Sequence, residues 1–281
     1  MHHKELAESA GMQLSFTRTG DWREEVVLFF HGFTGSKEYF PDCDAESSTC
    51  IISFDRPGIG DSPAIESYTM EEFLEAVHSV LKAHNVTSAK LIGHSAGGYY
   101  AQLFAQMHPE MTASITLASS MVPLNTPQTK GVVGAQWKFI ALLSRKFKRI
   151  SKRYFKQMAK GIVEDYDKQL ASNLETLPET EKRFMKEHPE LIKSAILEAV
   201  ANDGMGVYCD ANALCQKRDS VTIPADIPVY IWHGMQDSTT PPSFVDYFES
   251  AYSAKATHLL SDAGHMLYLP NWLDILQEIN P

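Results

Sequence analysis

Short runs of apolar residues, each bounded by turn-forming residues, recur along the chain at 26–30, 50–54, 90–92, 114–117, 228–232 and 257–260. Runs this short with no polar alternation suit strands buried on both faces of a largely parallel sheet. A helix signal stands between the second and third runs. Thr69 and Glu72 have the spacing of a capping box, and Phe73, Leu74, Val77, Val80 and Leu81 recur at helical intervals. The rhythm of strand, helix, strand predicts an α/β fold: a mostly parallel sheet with helices on both faces, right-handed crossovers, and ligands at the carboxyl ends of the strands.

The rhythm breaks between 123 and 226, where helical spacing replaces strand runs. Ile140, Leu143, Phe147, Ile150, Tyr154 and Met158 fall three or four apart with Lys and Arg between them, which predicts one basic amphipathic helix. A break at Pro178 precedes a second predicted helix over 189–201, ending near Gly204. The strand pattern resumes at Ile227. The expected organisation is therefore one core domain, residues 1–122 and 227–281, with 123–226 inserted as a helical lid.

Composition changes this picture little. Of 281 residues, 44% are hydrophobic and 21% charged, as in ordinary globular proteins, and no apolar stretch is long enough to cross a bilayer. The opening residues MHHKELAESAGM lack the apolar core and cleavage site of a secretory signal, so a cytoplasmic location is expected. Cys43, Cys50, Cys209 and Cys215 have no metal-ligand spacing and are expected as free thiols. There is no His-Glu-x-x-His or Cys-x-x-Cys, and neither a metal nor another cofactor is expected.

Charge adds one feature. A net charge of -10 argues against a nucleic-acid-binding surface, yet residues 130–160 hold ten Lys or Arg and no acid. The favoured reading is a solvated lid face balanced by the acidic body; contact with an anionic membrane surface, or with a partner protein, is the less favoured one. Nothing in the pattern speaks to oligomeric state.

The candidate chemistry lies where apolar runs end. The third run enters Gly93-His94-Ser95-Ala96-Gly97 and then a helical pattern, and a nucleophile on so tight a strand-to-helix turn needs small neighbours. The first run enters His31-Gly32-Phe33, where a backbone N–H can face a developing negative charge; Phe33 and Ala96 are the candidate oxyanion donors. A serine hydroxyl needs a base, and the base needs a third group to fix its tautomer. Asp237 follows the 228–232 run and His265 follows the 257–260 run, in the order Ser, acid, His. Asp262 competes for the acid role but precedes Gly264 on the same turn, and His31, His94 and His258 read as structural.

Together, His31-Gly32-x, Asp55-Arg56-Pro57-Gly58-x-Gly60-x-Ser62, Gly93-His94-Ser95-x-Gly97-Gly98, Gly234-x-x-Asp237 and Gly264-His265 resemble the serine-nucleophile, esterase- or lipase-like branch of the α/β-hydrolase family. The resemblance implies a triad of Ser95, Asp237 and His265, and a structural turn for Asp55 and Asp61. Some relatives carry the acid after the strand that follows the nucleophile helix; here that stretch is Ala118-Ser119-Ser120-Met121. A serine at the elbow sets aside the carboxylate-nucleophile branches and leaves acyl transfer. The expected substrate is a small to medium ester held by Phe33, His94, Trp137 and Met266. Trp137, Phe139, Phe147, Tyr154 and Phe155 suggest an apolar ceiling. A carbon-carbon hydrolase, lactonase, amidase or perhydrolase, and a ligand receptor or stress-signalling protein with little turnover, remain as alternatives.

Overall fold

A computed structural model describes residues 2–42 and 49–280; Cys43 lies outside the described residues. Eight strands form one sheet in the order β1-β2-β4-β3-β5-β6-β7-β8. β3 (Glu25–Phe30), β4 (Thr49–Phe54), β5 (Ala89–His94), β6 (Thr112–Ala118), β7 (Val229–Gly234) and β8 (Ala254–Leu260) are parallel. All six apolar runs are strands. The runs are unbroken because successive side chains feed opposite layers. On β3, Val26, Leu28 and Phe30 join the layer with α1 (Met70–Ala83) and α2 (Ala96–Met107), while Val27 and Phe29 join the layer with Tyr268 and Trp272. Each large side chain so buried contributes about 1.5–3 kcal/mol.

β8 departs from the expectation. It is an edge strand, only half-buried, with Leu259 50% exposed. Two further strands were not anticipated. β1 (His3–Ser9) and β2 (Met12–Arg18) form an antiparallel hairpin on the other edge, joined by Ala10 and Gly11, both at positive φ (49° and 77°). That is the backbone of a tight two-residue hairpin turn. Met12, Leu14 and Phe16 are buried, but β1 is polar and half-exposed, which masks it in a search for apolar runs. The Thr69 capping box of α1 is complete, each half donating to the other.

Between β6 and β7 stand α3 (Ala135–Lys146), α4 (Lys148–Glu164), α5 (Tyr166–Thr176), α6 (Glu179–Glu187), α7 (Pro189–Ala199) and α8 (Met205–Leu214); α9 (Ser243–Ala251) and α10 (Trp272–Ile279) complete the chain. The predicted single basic helix is two helices, broken at Phe147. Ile140 of the first is buried as expected, but in the second Ser151, Phe155 and Ala159 face inward while Ile150 and Tyr154 are exposed. α8 is different again. Eight of its ten residues are buried, and most of its apolar side chains join the layer of α1 and α2.

Buried charges tie these helices to the loops at the strand ends. Asp210 of α8 lies 2.9 Å from the Arg56 guanidinium and accepts the Tyr100 hydroxyl at 2.7 Å. Lys37 is fully buried between Asp55 (2.7 Å) and Glu198 of α7. Breaking a buried pair on one side leaves an uncompensated charge, at a cost of about 3–5 kcal/mol. Cys50, Cys209 and Cys215 are buried free thiols, and burial raises each to about 12.

Candidate active site

Ser95 occupies the sharp turn from β5 into α2 with φ 53° and ψ -124°. A residue with a Cβ is strained there by about 1–3 kcal/mol, and the surroundings must hold it in place. They do so by close approach. A Cβ on Gly93 would stand 2.5 Å from the Gly98 Cα, and one on Gly97 would run into the carbonyl of Phe30. Backbone bonds pin the turn further: Ser95 N–H donates to the Ala118 carbonyl (3.2 Å), and the Ser95 carbonyl accepts from Met121 (2.8 Å).

The Ser95 hydroxyl lies 3.0 Å from His265 Nε2, and His265 Nδ1 lies 2.9 Å from Asp237 Oδ2. One neutral tautomer serves both contacts, with the proton on Nδ1 donating to the carboxylate and Nε2 accepting from the hydroxyl. Asp237 is buried and also accepts the N–H groups of Thr239 (2.8 Å) and Thr240 (2.9 Å) and the Thr240 hydroxyl (2.6 Å). Burial alone would raise its pKa, but the bonds to His265 and Thr240 together with the attraction of His265 hold it well below the usual carboxylate range. Asp262 is exposed, and among the described residues its side chain makes no bond to His265.

Two groups that sequence reasoning did not assign steady the His265 loop. Glu181 of α6 is buried, and its carboxylate accepts the N–H groups on both sides of His265, from Gly264 and from Met266 (3.1 Å). Nothing in the local sequence marks Glu181, which is a charge on a polar helix far along the chain. Thr239 and Thr240 carried a weak signal, since an Asp followed at two and three residues by Thr is turn chemistry. His94 Nε2 lies 2.9 Å from the His265 carbonyl and its ring packs on Tyr268 at 4.3 Å. Burial, then the neighbouring His265 charge, lower its pKa to about 3, so it stays neutral and donates that bond.

His31 and His258 make contacts away from Ser95. His31 is buried on its own turn, with Nδ1 2.9 Å from the Gly32 carbonyl. The Arg56 guanidinium holds that turn by donating to the carbonyls of His31 (2.9 Å) and Gly32 (2.8 Å). His258 contacts Glu278 at 2.7 Å. Asp55 accepts from Lys37, and Asp61 is exposed 3.8 Å from it.

A cavity of about 360 Å³ opens on Ser95 and His265, and Phe33, His94, Trp137 and Met266 all line it. Phe33 packs edge-on against Trp137 (5.3 Å) and Phe155 (6.1 Å). Phe139, Phe147 and Tyr154, expected in the ceiling, are instead about half exposed. Among the described residues the backbone N–H groups of Phe33 and Ala96 make no hydrogen bond, and that of Ala96 belongs to the first turn of α2, at the positive end of its dipole. A larger cavity of about 700 Å³ lies beyond Trp137, lined by Leu124, Val133, Ala141 and four cations, and does not reach Ser95. The one group of three side chains with metal-ligating proximity among the described residues, Glu75, His78 and His108, joins α1 to the end of α2.

The arrangement can move a proton from a hydroxyl to an imidazole beside a cavity. Comparison with known proteins places it in context. The model of a family described as alpha/beta hydrolase fold matches residues 25–271. The dihydrolipoyllysine-residue acetyltransferase component of the acetoin cleaving system of Cupriavidus necator is 24% identical over 93% of this chain, which spans 64% of that protein's length. The pimeloyl-(acyl-carrier protein) methyl ester esterase of Neisseria meningitidis is 23% identical over 86% of the chain and 72% of its own length. Among solved structures, the esterase EaEST from Exiguobacterium antarcticum superposes with a TM-score of 0.75 at 18% identity, covering 99% of this chain and all of that one.

Proposed function

The chain belongs to the alpha/beta hydrolase fold family, and from that premise we propose that it is a serine hydrolase that transfers the acyl group of a small to medium carboxylic ester to water. The observation that carries the reading is the unbroken line from Ser95 Oγ through His265 to Asp237, at 3.0 Å and 2.9 Å. Ser95 attacks the ester carbonyl as its proton passes to His265 Nε2. Asp237, kept ionised by its environment, holds the tautomer and stabilises the imidazolium that forms. The tetrahedral oxyanion rests on the N–H groups of Phe33 and Ala96, each worth about 3 kcal/mol in the transition state. His265 then protonates the leaving alcohol, and water, activated by the same imidazole, releases the acid.

An ester substrate is supported by the relatives named as esterases, and a modest size by a cavity of about 360 Å³, near the lower end for small-molecule sites. Phe33, Trp137 and Met266 supply apolar walls, and His94 acts through its bond to the His265 carbonyl. α3 to α7 serve as the lid, whereas the burial of α8 makes it part of the core. The test is labelling by a fluorophosphonate, followed by p-nitrophenyl esters from acetate to octanoate. Stoichiometric labelling at Ser95 and repeated turnover, fastest on the shorter chains, are expected. Labelling without turnover would indicate a receptor, and neither labelling nor turnover would remove the serine mechanism.

A further inference from the structure

The basic segment was expected to be a solvated face balanced by the acidic body, with an apolar stripe in the ceiling of the pocket; its bases are exposed, but few of them pair and much of the stripe lies outside the pocket. Of the ten bases in 130–160, three reach a carboxylate within 4 Å among the described residues: Lys152 to Glu66 (2.7 Å), Lys156 to Asp203 (2.6 Å) and Lys160 to Glu164 (3.5 Å). The stripe does not cover the cavity either. Of ten large apolar side chains that are exposed among the described residues, six lie between 139 and 163, among them Leu142, Phe147, Ile150 and Tyr154. Such side chains are ordinary when scattered singly over a surface, but gathered in one segment they mark a contact.

The concentration peaks where α3 meets α4. Arg145-Lys146-Phe147-Lys148-Arg149 sets two bases on each side of a phenylalanine, all five exposed, with Ile150 and Arg153 exposed on the next turn. Among the described residues none of these five cations makes an ion pair. We propose that this α3–α4 corner docks the protein on an anionic lipid bilayer. Phe147 and Ile150 enter at headgroup depth, and the flanking Lys and Arg lay their alkyl stems along the same level with their charges on lipid phosphates.

The distribution of the side chains favours a bilayer over an acidic protein. The apolar groups at this helix-to-helix corner are interleaved in sequence with cations, whereas the centre of a packed protein interface is depleted in charged residues. A fluid surface of charged headgroups accepts that interleaving without shape complementarity. No helix among the described residues is long and apolar enough to cross a membrane, so the contact is a surface one. The inward side chains of the same helices, Trp137 and Phe155, stand against Phe33 of the Ser95 cavity, so docking brings that cavity near the lipid surface. The contact itself stands apart from the proposed chemistry.

The experiment is co-sedimentation of the full chain with vesicles of equal phosphatidylglycerol and phosphatidylcholine, and with phosphatidylcholine alone. Binding to the anionic vesicles is expected at about 0.1 M salt and its loss at about 1 M, as the Debye length falls from ~10 Å to ~3 Å. Phosphatidylcholine should not bind. The five-fold variant Arg145→Gln, Lys146→Gln, Lys148→Gln, Arg149→Gln, Arg153→Gln should weaken binding at least ~100-fold. Phe147→Ser with Ile150→Ser, which keeps every charge, should weaken it about tenfold. Both variants alter exposed side chains, and an unchanged thermal melt verifies that they fold. Failure of the wild-type chain to bind, or undiminished binding by the Phe147→Ser, Ile150→Ser variant, overturns the proposal. Retention on polyglutamate with the same dependence on Phe147 and Ile150 overturns it in favour of an acidic protein.

Discussion

Two helices approach the Ser95 cavity from different parts of the chain, and they are built to opposite rules. α2 begins at the residue after Ser95, carries no charged side chain, and buries ten of its twelve residues. α4 sends Phe155 toward Phe33 but buries only three of seventeen, and six of the others are Lys or Arg. A residue of α2 has neighbours on every side, so its volume and backbone are dictated by packing. Most of α4 has solvent as its neighbour, and substitutions there are nearly free in stability. The proposed nucleophile therefore precedes a helix whose packing restricts substitution, while α4 presents a surface that packing leaves largely unconstrained.

The largest expected effect tests the invariant side of that contrast. On the proposed roles, Ser95→Ala should lower kcat by about three or more orders of magnitude, because triad groups act as a unit, with the thermal melt preserved. Asp237→Asn should be severely impaired, since an amide cannot hold the same His265 tautomer, whereas Asp262→Asn should stay near wild type. Kinetics on p-nitrophenyl acetate decide. Retention of more than a tenth of the activity by Ser95→Ala, or a reversed order for the two Asp variants, would break the assignment.

The same contrast explains what was legible in the chain beforehand. β3 to β7 and α1 announce themselves because burial on both sides of a sheet demands unbroken apolar runs, and Thr69 and Glu72 display their cap at fixed spacing. Ser95, Asp237 and His265 stand out because each ends such a run, and Gly93 and Gly97 because backbone contact forbids a side chain. Elsewhere the signal fades for physical reasons. β1 lies at an edge where polar residues cost nothing. The break at Phe147 has no Pro or Gly to mark it, so the helical period runs through it unbroken. Glu181 acts by tertiary contact alone, and one carboxylate on a helix with Lys182, Arg183 and Lys186 looks like every other.

Glu181 is also where the contrast narrows, because it is a fixed element supplied by the variable region. Glu181→Gln leaves one of the two N–H groups flanking His265 without an acceptor, at about 1–3 kcal/mol, which predicts a fall in kcat of about tenfold with KM little changed. A fall in melting temperature with kcat intact would make the residue merely structural. pH sharpens the test. Burial raises the Glu181 carboxyl above the ordinary glutamate range, although the two N–H groups pull it down. The folded chain therefore holds this proton more tightly than the unfolded chain does. The stability this gives is fully present below the unfolded pKa of about 4.3 and is lost as pH rises through the folded value. Melting curves across that window should show Glu181→Gln gaining on the wild type as pH increases.

The smallest effect tests the variable side directly. Gly161 lies inside α4, a Cβ built there meets nothing within 4 Å, and its backbone is not at positive φ. Glycine within a helix loses more conformational freedom on folding than alanine, so Gly161→Ala should stabilise the chain by about 0.5–1 kcal/mol. In a chain of this size that corresponds to a rise of about 1–4 °C in melting temperature. Gly97 is also a helical glycine, two residues from Ser95, but there the carbonyl of Phe30 already occupies the space of a methyl group. A melt that rises for Gly161→Ala with unchanged ester turnover places α4 outside the constraints on α2. A melt that falls would mean that α4 packs more closely against its neighbours than its exposed surface implies, and the division between the two helices would lose its physical basis.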